Sequence, residues 1–82
     1  MSMVNKNDEN YIFCVIGQNI KKYRQLNGWT QEQLADRCDY DLSFIGKLEG
    51  KNTFQTISIP SVNHIAKILD IHITKLFEDL LN

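Results

Sequence analysis

With 82 residues the chain has room for one domain and a modest core, and its apolar share of 43% is ordinary for a folded protein. No run approaches the roughly 20 apolar residues of a membrane span, and the polar opening from Met1 to Asn10 lacks the charged-then-apolar order of a signal peptide; the reading is a soluble, cytoplasmic protein. The formal net charge of −1 does not advertise a nucleic-acid partner, and residues 18–51 hold six Lys/Arg against five acids. Any affinity for DNA must therefore come from where the charges sit, with a modest salt dependence.

Residues 1–10 read as a flexible segment, polar and without a period, and residues 11–82 as the folded domain. From Tyr11 to about Asn27 the pattern is helical: Ile12, Ile16, Ile20 and Tyr23 recur at three- and four-residue steps, and Gly28 closes the helix. Its opening part, Tyr11 to Ile16, is apolar all round. It either extends the helix with two buried faces or forms a separate arm against a partner, a β-arm being the weaker choice because no turn chemistry supports a hairpin.

Two helix-start signals follow about eleven residues apart. Thr30 with Gln33 makes a capping box, flanked by Trp29 and Leu34 as a hydrophobic staple. Asp41 offers a second cap, with Tyr40 and Ile45 as the matching staple. The two short helices meet at the turn Asp39-Tyr40, and Gly50 fits the end of the second, where a left-handed residue commonly sits. Leu34, Ala35 and Cys38 stripe the first helix, Ile45 and Leu48 the second. This is a helix-turn-helix, the plainer alternative being an αα-hairpin in a small bundle.

After Gly50 the segment Lys51 to Ile59 has no helical period and reads as a long loop. Pro60 fits the first turn of a fourth helix, with Ser58 or Ser61 nearby and Val62, Ile65, Ala66 and Leu69 as its stripe. Asp70-Ile71-His72 breaks it, and a last helix is expected from about Ile73 to Leu81. The result is an all-α domain of five helices. The final face carries Ile73, Phe77, Leu80 and Leu81, broad for so small a chain. It either roofs the core or, as the preferred reading, forms a homodimer interface.

Cys14 and Cys38 share no metal-like spacing, and His64 and His72 lie far along the chain. The cysteines fall on apolar helix faces and read as small core residues; no metal, cofactor or disulfide is expected. Nor does any nucleophile–base arrangement speak for an enzyme.

The stretches Ile16-Gly17-Gln18-Asn19-Ile20-Lys21-Lys22-Tyr23-Arg24, Gly28-Trp29-Thr30-Gln31-Glu32-Gln33-Leu34-Ala35 and Ile45-Gly46-Lys47-Leu48-Glu49 resemble the lambda-repressor-like, XRE-type helix-turn-helix family. Pro60-Ser61 and Ile65 to Ile71 look like its fourth helix, so the likeness covers residues 16–81. SinR-type repressors and the controller proteins of restriction–modification systems are both close. The resemblance implies a compact five-helix DNA-binding domain acting as a dimer on a two-fold double-stranded operator. It also implies that Arg24 and Glu49 pair to tie the first helix to the end of the third. Where Leu42 stands, controller proteins commonly have an arginine, so the departure predicts less hydrogen-bonded and more apolar or shape readout.

On this reading the helix beginning at Leu42 enters the major groove and the preceding helix crosses the backbone. Its outward side carries Leu42, Ser43, Gly46 and Lys47, with Phe44 at the margin. Ser43 suits a base or a phosphate, Lys47 guanine acceptors or a phosphate, and Leu42 and Phe44 a thymine methyl. Gln31, at the start of the preceding helix, suits a phosphate oxygen or merely supports the cap; Lys51 and Asn52 are the next phosphate candidates, Lys51 otherwise being solvated. The whole describes a transcriptional repressor or autoregulator. The alternative from another class is a small interaction module, such as an antitoxin or antirepressor subunit, whose last helix binds a protein partner.

Overall fold

The computed structural model describes residues 8–51 and 55–78. Within them run α1 Tyr11–Leu26, α2 Gln31–Cys38, α3 Leu42–Glu49, α4 Ile59–Leu69 and a 3-10 helix Ile73–Phe77, with no strand among the described residues. The apolar opening Tyr11–Ile16 is the first part of α1, neither a separate arm nor a β-arm. The face that α1 buries carries Val15, Ile16, Asn19, Ile20 and Arg24, while Ile12 is 40% exposed and Tyr23 only half-buried. The inner stripe is thus rotated from the expected line of Ile12, Ile16, Ile20 and Tyr23.

Local chemistry starts and stops the helices. Thr30 and Gln33 close the capping box of α2, the Gln33 N–H donating to Thr30 Oγ1 at 3.1 Å and the Thr30 N–H to Gln33 Oε1 at 2.8 Å. Ser58 caps α4 by accepting from the Ser61 N–H at 3.3 Å, with Pro60 in the first turn. Three helices end in the same left-handed turn, at Gly28 (φ 73°), Asp39 (φ 59°) and Asp70 (φ 59°). In each, the next residue's N–H reaches back to a carbonyl five residues earlier: Trp29 to Arg24, Tyr40 to Ala35, Ile71 to Ala66. Aspartate serves at two of these sites because, after glycine, Asn and Asp are the residues that visit the left-handed region.

Three expectations are corrected. Gly50 is extended (φ −71°, ψ 140°), so α3 runs straight into the loop without a left-handed turn. Asp41 has the backbone of an N-cap, but its side chain accepts no cap hydrogen bond; the N–H groups of Phe44 and Ile45 go to its main-chain carbonyl instead. The last helix is a five-residue 3-10 helix. Asn19, itself fully buried, donates from Nδ2 to the carbonyls of Leu76 (3.0 Å) and Glu78 (2.7 Å), taking up acceptors that a continuing α-helix would use. The expected extension to Leu81 lies outside the described residues.

One core joins the elements: Ile16 and Ile20 from α1, Leu34 from α2, Ile45 from α3, Ile65 from α4 and Leu76 from the 3-10 helix are each 2% exposed or less. Cys38 lies in this core, while Cys14 is half-buried. Burial pushes the Cys38 thiol up to about 11, because a thiolate there would lose its hydration. Where α1 crosses α3, a Cβ on Gly17 would fall on the Leu48 carbonyl, so only glycine lets the two backbones meet.

Candidate nucleic-acid interface

Helix α3 is one-sided. Ile45 and Leu48 are 0% and 4% exposed and face the core, as does the Glu49 side chain. Leu42 (46% exposed), Ser43 and Lys47 face solvent, and Phe44 and Gly46 lie at the margin. The 3.6-residue period produces this split directly: positions 45, 48 and 49 share one face, and 43 and 47 the other.

The C-terminal half of α3 is held tightly by α1. The Arg24 guanidinium grips Glu49 with two parallel bonds, Nε to Oε2 and Nη2 to Oε1, both 2.8 Å, and its Nη1 donates to the Trp29 carbonyl at 2.7 Å. With the two side chains 9% and 1% exposed, the fork satisfies charges that water cannot reach. Gln18 Nε2 donates to the Glu49 carbonyl at 3.2 Å, next to the glycine-sized crossing at Gly17. Gln31 Nε2 donates to Glu49 Oε1 at 3.1 Å. That bond fixes the amide's orientation, since a carboxylate oxygen accepts only from the NH2 end. Gln31 therefore joins the start of α2 to the end of α3 while remaining half-exposed.

The N-terminal half is held by rings. Tyr40, placed by the turn at Asp39, packs edge-on against Phe44 (centroids 5.3 Å, 81°) and against His64 of α4 (5.4 Å, 64°). His64 Nε2 lies 2.9 Å from the carbonyl of Cys38, at the end of α2. This chain of contacts was legible only in part: Tyr40 has the position of a staple residue, but nothing in the spacing brings His64 to it.

Lys51 is exposed just beyond α3, whereas Asn52 lies outside the described residues. Arg37, near the end of α2, stacks over Trp29 at 4.3 Å. Ile73 and Phe77 are half-buried and pack against the core, with part of each surface open; Leu80 and Leu81 lie outside the described residues. No described helix is long and apolar enough to cross a membrane.

A family model described as "Helix-turn-helix domain" matches residues 17–79. The control protein C.SmaI of Serratia marcescens is 32% identical over 62 residues, which cover 76% of this chain and 71% of that protein. A hypothetical transcription factor of Neisseria meningitidis is 28% identical over 64 residues; the match covers 78% of this chain but only 58% of that protein's length. Among solved structures, the restriction–modification controller protein C.AhdI of Aeromonas hydrophila superposes with a TM-score of 0.71 at 29% identity, covering 79% of this chain and 96% of that one. SinR, a master regulator for biofilm formation crystallised in complex with DNA, gives 0.69 at 28% identity, covering 77% and 98%. From its residues 17–79 the chain belongs to the helix-turn-helix domain family, of the lambda-repressor-like, XRE type.

Proposed function

We propose that the protein is a sequence-specific DNA-binding regulator of transcription that acts as a homodimer in the cytoplasm, with residues 11–82 as its DNA-binding unit. One observation carries the reading: α3 is anchored at its C-terminal half and presents Leu42, Ser43 and Lys47 to solvent. A helix held this way fits a major groove about 12 Å wide, opening turn first. The likeness to controller proteins and to SinR, which was crystallised on DNA, supports the same partner.

The roles divide by chemistry. Ser43 and Lys47 hydrogen-bond base edges or phosphates, and Leu42 and the edge of Phe44 meet thymine methyls. Gln31, Lys51 and Asn52 hold the backbone on either side. Arg24 and Glu49 take no part in contact and fix the seat of α3. Ile73, Phe77, Leu80 and Leu81 join two subunits on a two-fold operator. The chain binds rather than catalyses, and needs no metal or cofactor for this.

Selection from a random duplex pool followed by fluorescence anisotropy tests the proposal. The expected outcome is one enriched site, with Ser43→Ala/Lys47→Ala weakening it by about 1–3 kcal/mol. A protein that enriches no site at low salt would refute the reading.

A further inference from the structure

We propose that Tyr40 and His64 are positioning residues for base readout: with Phe44 they form a ring brace that sets the angle at which the first turn of α3 is presented. The two halves of α3 are held differently. Glu49 is fixed by Arg24, Gln18 and Gln31, and the adjoining Leu48 carbonyl lies against Gly17. The opening turn has no such ties. Asp41 supplies no side-chain cap, and Leu42 and Ser43 are exposed. Behind that turn stands Phe44, edge-on to Tyr40 at 5.3 Å, with Tyr40 edge-on to His64 at 5.4 Å.

Two of the three rings are fixed to the same helix, α2. The Tyr40 N–H donates to the Ala35 carbonyl at 2.9 Å, and the His64 ring bonds the Cys38 carbonyl at 2.9 Å. A carbonyl only accepts, so Nε2 carries its hydrogen here, as it does in one neutral tautomer and in the imidazolium alike. Helix α4 is thereby coupled through three rings to the part of α3 that faces outward. Without the rings, Ile45, Leu48 and Glu49 would still seat α3 in the core, but the turn ahead of Ile45 would be free to shift, moving Leu42 and Ser43 most. Phosphate contacts elsewhere would be disturbed less.

The inference rests on the reading that α3 meets base edges, and its test separates the two. Affinities for a selected duplex and a scrambled one are measured by anisotropy for Tyr40→Leu, Tyr40→Phe, His64→Gln and Ser43→Ala/Lys47→Ala, with helicity followed by circular dichroism. Edge-to-face ring pairs are worth enough that Tyr40→Leu and His64→Gln should each weaken the selected site roughly three- to ten-fold. The scrambled duplex should move less than about two-fold, the smaller loss expected of contacts that carry no sequence information. Tyr40→Phe, which keeps the ring, should match the parent. His64→Gln keeps an N–H for Cys38 and removes only the ring. Equal losses on both duplexes, or none on either, would overturn the brace. If the Ser43/Lys47 variant is also unaffected on the selected site, the assignment of readout to α3 falls as well; if that variant alone is impaired, only the brace falls.

Discussion

Glu49 is a carboxylate with almost no contact with water, and protein donors stand where water would. Two guanidinium nitrogens and one amide donate to its oxygens. Removing one partner strands the other, so Glu49→Leu or Arg24→Leu should each cost about 3–5 kcal/mol, measured by urea unfolding. That is a large part of the stability of a small domain. The double change to leucine should cost less than the sum, because no unpaired charge remains. A second residue-scale prediction concerns Cys38. Its raised thiol means the native state keeps a proton that the unfolded chain releases. Stability should therefore be insensitive to this group below pH 9.0 and fall as pH rises from there through about 11; Cys38→Ala should lack that component. Sequence reading reached Cys38 as a core residue from its place on an apolar stripe. The Arg24–Glu49 pair came from resemblance alone, since 25 residues separate the partners and no local rule joins them.

Among the elements, the position of α3 is set by which glycines can be spared. Gly17→Ala would improve helix propensity by about 1 kcal/mol. The new Cβ would fall on the backbone carbonyl of Leu48, which cannot rotate away as a side chain can. Overpacking of this kind costs about 1–3 kcal/mol or more, so a net loss of melting temperature is expected, together with weaker DNA binding as α3 is pushed outward. Gly46→Ala is the contrast. Its Cβ would meet only the Gln31 side-chain oxygen at 3.9 Å, an ordinary contact. The propensity gain stands, and the variant should be more stable by up to about 1 kcal/mol. The same distinction explains what was legible. The starts of α2 and α4 could be read because capping is local, within three residues of Thr30 and Ser58. The end of the last helix could not, because Asn19, 57 residues from Leu76, captures its carbonyl. A polar residue on the inner face of α1 was the available sign, and the apolar period passed over it. The helix-turn-helix itself was plain in sequence, since Thr30, the Asp39-Tyr40 turn and the buried set of Leu34, Ala35, Ile45 and Leu48 all follow local rules.

At the scale of the molecule, a single subunit is a poor ligand for DNA. Its net charge is −1, Arg24 is committed to Glu49, and Arg37 lies over Trp29. Phosphate contacts then fall to lysines, and the proposed dimer would double their number on one duplex. The subunit measures 33 × 24 × 23 Å, a size compatible with neighbouring half-sites about 34–36 Å apart. The proposed joining surface begins at Ile73 and Phe77, which pack on the core and keep part of their area open. Sedimentation equilibrium should show a dimer for the parent chain and a monomer for Phe77→Glu. Ile73→Glu should behave alike, which guards against a fold defect at one position. In each monomeric variant circular dichroism should stay helical, while binding to a full operator weakens and a half-site binds as before. The salt slope on the full operator should drop to about half, because each subunit contributes its own phosphate contacts. A variant that stays dimeric with an unchanged slope would move the interface off this face, and the α3 reading would then need another surface to bring two subunits together.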